Sequence, residues 1–354
     1  MGQFRKRVMI MAAAGLFAVS SLAGCSRSMN NDAVVAEVGE DKIVLGVANF
    51  YARMQQAQYE TYYAGMMGTT GEAMWAQEVE EGRDYEDTTK ESILEALENM
   101  YLLKQHAADY KVELTDDDKK AIDKAAETFV EDNTLEDKEA VSGYEKYVKT
   151  FLELATIQSR MNDPMKEGVD EEVSDEEAAQ KSMQYVLFSY NKTDADGNSE
   201  TMTDDEKAAL KETAEKFADD LKNSDKKDLE AAASEADLEV QTATFDSEST
   251  SPTADLVKAV DALEEGDVTG IVESDNGIYV AKLTSNLDRE ATDAKKESIV
   301  EERKQEQYDS LVEQWRKDTE ITEHKKVWKK VKFEEQGVTI KESEEENTEG
   351  SGTE

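Results

Sequence analysis

Apolar residues change their spacing three times along this 354-residue chain, and those changes limit what it can fold into. Val34–Val44 reads as two short strands around a turn. Beyond it Val47, Phe50, Tyr51 and Met54 recur at intervals of three and four, as do Ile93, Leu97, Met100 and Tyr101, then Ile122, Ala126 and Phe129, then Tyr144, Val148, Phe151 and Ala155. Each set lays one apolar stripe along a helix. Thr115-Asp116-Asp117-Asp118 supplies a helix start resembling a capping box. After an acidic link, residues 166–173, the period shortens. Ser182–Ser189 alternates, and further strands are expected near Leu238–Phe245, Thr269–Glu273 and Gly277–Thr284. Helices carrying Leu210, Ala214, Phe217 and Leu221, then residues 229–236 and 254–263, lie between them. Helical spacing returns with Val300, Lys304, Tyr308, Leu311 and Trp315. The expected fold class is α+β: a mainly helical segment, a compact mixed domain of short strands and helices, and a long helix after it.

Composition narrows the partners. The chain has 82 acidic against 41 basic residues, a formal charge of -41. Nucleic-acid affinity rests on Lys and Arg neutralising phosphates, so no nucleic-acid partner is expected. One cysteine and two distant histidines, His106 and His324, offer neither a disulfide nor a multi-thiolate zinc site. No metal and no cofactor is expected. The Asp194–Asp196 stretch would place Lys192 and Thr203 at the outer ligand positions of a calcium loop, which reads as a plain turn.

The first 24 residues look like an export leader. Arg5-Lys6-Arg7 precedes an apolar run, Val8–Val19, too short to span a bilayer as a conventional helix. Leu22-Ala23-Gly24-Cys25 then looks like a bacterial lipobox, with Cys25 as the lipidated residue. Diacylation holds a protein stably to a membrane. The expected location is the extracytoplasmic face of the cell membrane, with residues 25–32 as tether. Residues 342–354 contain no apolar anchor and read as a disordered acidic tail.

Residues 256–283 carry a resemblance. Leu256-Val257-Lys258-Ala259-Val260, Gly266-Asp267-Val268 and Gly277-Ile278-Tyr279-Val280-Ala281-Lys282-Leu283 resemble the second half of a parvulin-type peptidyl-prolyl isomerase domain, and Ser182–Phe188 resembles its first strand. With the lipobox and the flanking helices, the layout is similar to PrsA-type foldase lipoproteins of Gram-positive bacteria, whose helical parts resemble trigger-factor and SurA-like chaperone segments. The resemblance implies a mainly helical chaperone domain built from residues 33–173 and 289–341, interrupted by a parvulin-like insert at 174–288, a small antiparallel sheet flanked by helices. It implies unfolded or newly exported polypeptides as clients.

Prolyl isomerisation breaks no σ bond; the obstacle is amide resonance, a barrier of about 20 kcal/mol. Active parvulins carry one histidine on the first strand and one on the last, an Asp or Cys between them, and a Met/Phe pocket for the proline ring. Here the histidine positions fall on Tyr185 and Tyr279, the Asp/Cys position near Gln241, the Phe position on Leu256 and the Met position near Pro252; Phe245 would supply an aromatic wall. The catalytic candidates are therefore Tyr185 and Tyr279, and the substrate-binding candidates Phe245 and Leu256. Packed strand aromatics or a hydrogen-bonded phenol pair both fit the tyrosines. Met54, Met66, Met67, Met74 and Trp75 fit either helical core or an adaptable client surface. Two other functions are compatible with the chain: an active isomerase using the tyrosines, and a solute-binding or structural lipoprotein without clients.

Overall fold

A computed structural model describes residues 16–21, 29–63, 66, 68–193, 199–225 and 227–341. Cys25, Met67, the Asp194–Asp196 turn, the acidic tail from residue 342 and most of the leader lie outside the described residues. The chain divides into two compact units, residues 1–168 with 305–354, and residues 169–304. The architecture is α+β, as the spacing of apolar residues predicts.

The first unit begins with strand β1, Leu16–Ser21. Strands β2 (Val34–Val38) and β3 (Asp41–Val44) form the expected hairpin, closed by Gly39 at φ 58°, a left-handed conformation that glycine adopts without Cβ strain. Helix α1 (Leu45–Gln58) continues into a π-helical turn at Tyr59–Tyr63. Helices α2 (Tyr85–His106), α3 (Asp116–Asp132) and α4 (Glu145–Met165) follow. Thr115 caps α3 in a full capping box: its side chain accepts from the Asp118 amide, while the Asp118 carboxylate accepts from the Thr115 amide at 2.7 Å. The apolar stripes meet in one core, where the Phe50 ring sits edge-on to Phe129 (5.2 Å) and Phe151 (5.7 Å).

In the second unit, strand β4 (Lys181–Ser189) precedes helices α5 (Asp204–Asn223) and α6 (Leu229–Glu235), strand β5 (Gln241–Phe245), helix α7 (Ala254–Asp261), and strands β6 (Val272–Ser274) and β7 (Gly277–Ser285). The strands form one antiparallel sheet in the order β6-β7-β4-β5. Alternation sends Val186, Phe188, Ile278 and Val280 into a core with α5 and α6 residues. Met183, Tyr185, Tyr279, Ala281 and Leu283 go into another with α7 residues. Both faces of the sheet are thereby covered.

Helix α8 (Arg289–Asp318) leads back to the first unit, where β8 (Ile321–Glu323) pairs with β2, Ile321 opposite Val38. The final strand, β9 (Gln336–Lys341), pairs with β1. Sequence reading left residues 324–341 without a pattern. They are held by a buried polar cluster: Glu86, on α2, accepts from the Phe333 and Glu334 amides and from Lys90 Nζ at 2.9, 3.0 and 3.1 Å, and Lys90 also donates to the Val331 carbonyl. Among the described residues, no helix is long and apolar enough to cross a membrane.

Candidate functional site

Strand pairing brings together the residues singled out in the second unit. In the β4/β7 ladder Tyr185 stands opposite Ala281 and Tyr279 opposite Leu187. The two tyrosines are therefore diagonal neighbours on one face, within reach of aromatic side chains. Their ring centroids lie 5.8 Å apart with planes tilted by 56°. Phe245, at the end of β5, and Leu256, in the first turn of α7, are 0% exposed and pack in the same cluster. Thr253 caps α7 by accepting from the Leu256 amide, which fixes where that side chain enters.

The two hydroxyls point to different partners. Tyr185 donates to Gln241 Oε1 at 2.7 Å, across the β4/β5 pair where the two residues stand opposite each other. Tyr279 exchanges with its own hairpin turn, accepting from Asn276 Nδ2 at 3.2 Å. Burial, and then the neighbouring Tyr279, push the Tyr185 phenol above its ordinary value. It stays protonated at neutral pH and acts as a neutral donor. Tyr185 is 9% and Tyr279 3% exposed. Met183, Val257, Val260, Ala281 and Leu283 fill the space around them. This arrangement is a packed interior with two polar tips; the residues that would form a proline pocket are themselves core.

A depression of about 460 Å³ lies beside β4 and β5 and is lined by Gln184, Thr242, Thr244, Thr284 and Asp288 among others. It contains neither tyrosine. Both histidines belong to the first unit: His106 stacks on Trp315 at 4.1 Å, and His324 lies 3.8 Å from Glu37. The methionine cluster splits. Trp75 and Met74 are core, Met54 packs partly buried against it, and Met66 is 79% exposed.

Comparison with known proteins centres on the second unit. Residues 198–295 match the PPIC-type PPIASE domain family. The match agrees with the parvulin resemblance of residues 256–283 and includes Phe245, Leu256 and Tyr279; Tyr185 precedes it. No curated protein matches the chain. Among solved structures, a SurA-like chaperone of Campylobacter jejuni is similar at 12% identity, covering 82% of this chain and 99% of its own, with a TM-score of 0.29. The foldase PrsA of Streptococcus pneumoniae is similar at 18% identity over 63% of this chain and 83% of its own, TM-score 0.29. PrsA of Bacillus subtilis follows at 15% over 86% and 94%, TM-score 0.20. Overlap this slight establishes no function.

Gln241 as the partner of Tyr185 was partly legible, since it aligns loosely with the Asp/Cys position of active parvulins. Asn276 was not singled out. Its signal was the Asp275-Asn276-Gly277 turn, where Asn and Gly are the residues a tight turn selects.

Proposed function

We propose that this chain is an extracytoplasmic foldase, anchored through lipidated Cys25, that holds unfolded or newly exported polypeptides through its helical unit and has weak isomerase activity or none. The carrying observation is the packed state of the tyrosine cluster inside a unit that includes the PPIC-type match. Lowering the barrier to rotation requires a desolvated site in which a twisted prolyl amide is bound more tightly than the planar one. Such a site needs room for the ring. Here the residues that the resemblance assigns to that pocket, Leu256 and Phe245, are both 0% exposed and packed in the core. Neither tyrosine offers an imidazole, and each hydroxyl already has a partner. The domain then serves as scaffold, and client holding falls to the other unit. The names of the similar solved structures, which include SurA-like chaperones and PrsA foldases, fit this reading.

One observation favours a second reading, an active isomerase: the rings of Tyr185 and Tyr279 lie side by side on the strands that carry the imidazoles of active parvulins. A protease-coupled prolyl-peptide assay and an aggregation-suppression assay on an unfolded protein separate the readings. The foldase reading expects suppression with a prolyl rate near background. A robust prolyl rate that collapses in both Tyr185→Phe and Tyr279→Phe establishes the second reading instead. Absence of suppression rejects the holding role.

A further inference from the structure

Strand β9 has two differently satisfied edges, and the two follow the parity of its residues. Toward α1 and the π-helical turn, side chains take the place of a neighbouring strand. The Gln336 carbonyl accepts from Gln56 Nε2 at 2.7 Å and Arg53 Nη1 at 3.1 Å. The Val338 amide donates to Glu60 Oε2 at 2.8 Å, and the Ile340 amide to Thr61 Oγ1 at 3.0 Å. Glu60 is itself fixed by Trp75 Nε1 and Gln56 Nε2. Backbone groups of successive strand residues point to opposite edges, so Gly337, Thr339 and Lys341 address the other edge. That edge is occupied by β1, with Gly337 opposite Ser20, Thr339 opposite Ala18 and Lys341 opposite Leu16.

β1 falls inside the segment read as the export leader. Cleavage before Cys25 removes it and leaves the odd-numbered backbone groups of β9 without a strand. The stretch so exposed, Gly337-Val338-Thr339-Ile340, is uncharged in a chain with 82 acidic residues and contains no proline; the one lysine of the strand, Lys341, stands at its end and not within it. Its even-numbered side is already capped and held against the core, with Val338 0% exposed. The strand is therefore presented in extended form on a rigid backing.

We propose that, in the processed protein, this edge of β9 is a β-augmentation site that takes an extended, uncharged, largely apolar segment of a client polypeptide, with the leader segment Leu16–Ser21 holding the same place in the precursor. The occupant's chemistry is read from that seated segment, Leu-Phe-Ala-Val-Ser-Ser, which carries no charge. Main-chain hydrogen bonds supply most of the affinity in this mode of binding, so such a site accepts many sequences. The proposal rests on the leader and foldase readings above.

The test compares the processed chain, residues 25–354, with the full chain carrying Cys25→Ala, using the synthetic peptide Leu-Phe-Ala-Val-Ser-Ser as probe and hydrogen exchange resolved to single amides. In the processed chain, saturating peptide is expected to slow the Gly337, Thr339 and Lys341 amides at least about tenfold and to change Val338 and Ile340 less than about twofold. In the full chain the three odd-numbered amides are expected to exchange slowly without peptide. Thr339→Pro should abolish the peptide effect, since it removes a donor from the open edge. No change at the odd-numbered amides, equal slowing at all five, or edge-to-edge dimerisation of the processed chain in sedimentation would each overturn the site. Aggregation suppression in the same samples keeps the two readings apart. Suppression without odd-numbered protection rejects this surface alone, and odd-numbered protection without suppression rejects the foldase reading alone.

Discussion

Tyr185 combines a buried ring with a satisfied polar tip. Its ring packs in the core, its hydroxyl donates to Gln241, and burial keeps it protonated. Tyr185→Phe should therefore cost about 1 kcal/mol in urea denaturation, the net worth of one hydrogen bond, and leave the prolyl-peptide rate unchanged. Tyr185→His with Tyr279→His should recover little isomerase activity in the same assay, because Leu256 and Phe245 remain packed in the core around them. Glu86 has a different role. Burial pushes its carboxyl up, but the Glu334 amide and Lys90, with Lys332 further off, pull harder, and the net direction is down. A carboxylate with a lowered folded pKa contributes stability above its unfolded value of about 4.3 and loses it as pH falls through the folded value. Glu86→Ala should destabilise the first unit by about 3 kcal/mol at pH 7, since it leaves Lys90 buried and unpaired. The difference from wild type should shrink in acid, read as converging urea midpoints.

At the scale of elements, strands and helices were legible wherever one face is core. The β4/β7 ladder agrees with the alternation of Ser182–Ser189 and Gly277–Thr284, and the Thr115 capping box with its four-residue pattern. The register was not legible, because pairing depends on which neighbour each edge finds. Gly277 is one point that fixes it. Its φ is 155°, and a Cβ there would stand 2.3 Å from the Phe188 carbonyl oxygen on β4. Gly277→Ala must part the β4/β7 ladder at its tip. It should lower stability by more than about 1 kcal/mol, measured as a reduced urea midpoint, while an exposed position such as Gly270, where an added Cβ meets nothing, tolerates alanine. Strand β9 escaped the sequence reading for a related reason. Its six residues alternate too briefly to stand out, and its capping partners, Arg53, Gln56, Glu60 and Thr61, lie some 280 positions earlier in the chain.

For the molecule as a whole, the two-unit division predicts independent folding of the first unit. Gln307 Nε2 donates to the Met165 carbonyl at 2.7 Å, so the two ends of the first unit meet where the second leaves and returns. Deleting residues 169–304 and joining Gly168 to Gln305 through a short Gly/Ser linker should leave a domain that unfolds cooperatively in calorimetry. Broad, non-cooperative melting would show that the second unit completes its core. The sequence by itself determined the α+β class, the helical stripes, the acidic character and the parvulin likeness, since each depends on residues close together in the chain or on composition. It also determined the expectation of a lipidated Cys25, which mass spectrometry of the membrane fraction checks: wild type should carry the added lipid mass and Cys25→Ala should not. Only tertiary structure decided whether Tyr185, Tyr279, Phe245 and Leu256 line a cleft or fill an interior. The same residue types serve either purpose, and α7 closing over the β4/β7 face makes the difference. It likewise decided that Glu86, buried, and Glu60, partly buried, two among 82 acidic residues, are acceptors for distant backbone amides, because a carboxylate's role is set by the groups that fold against it.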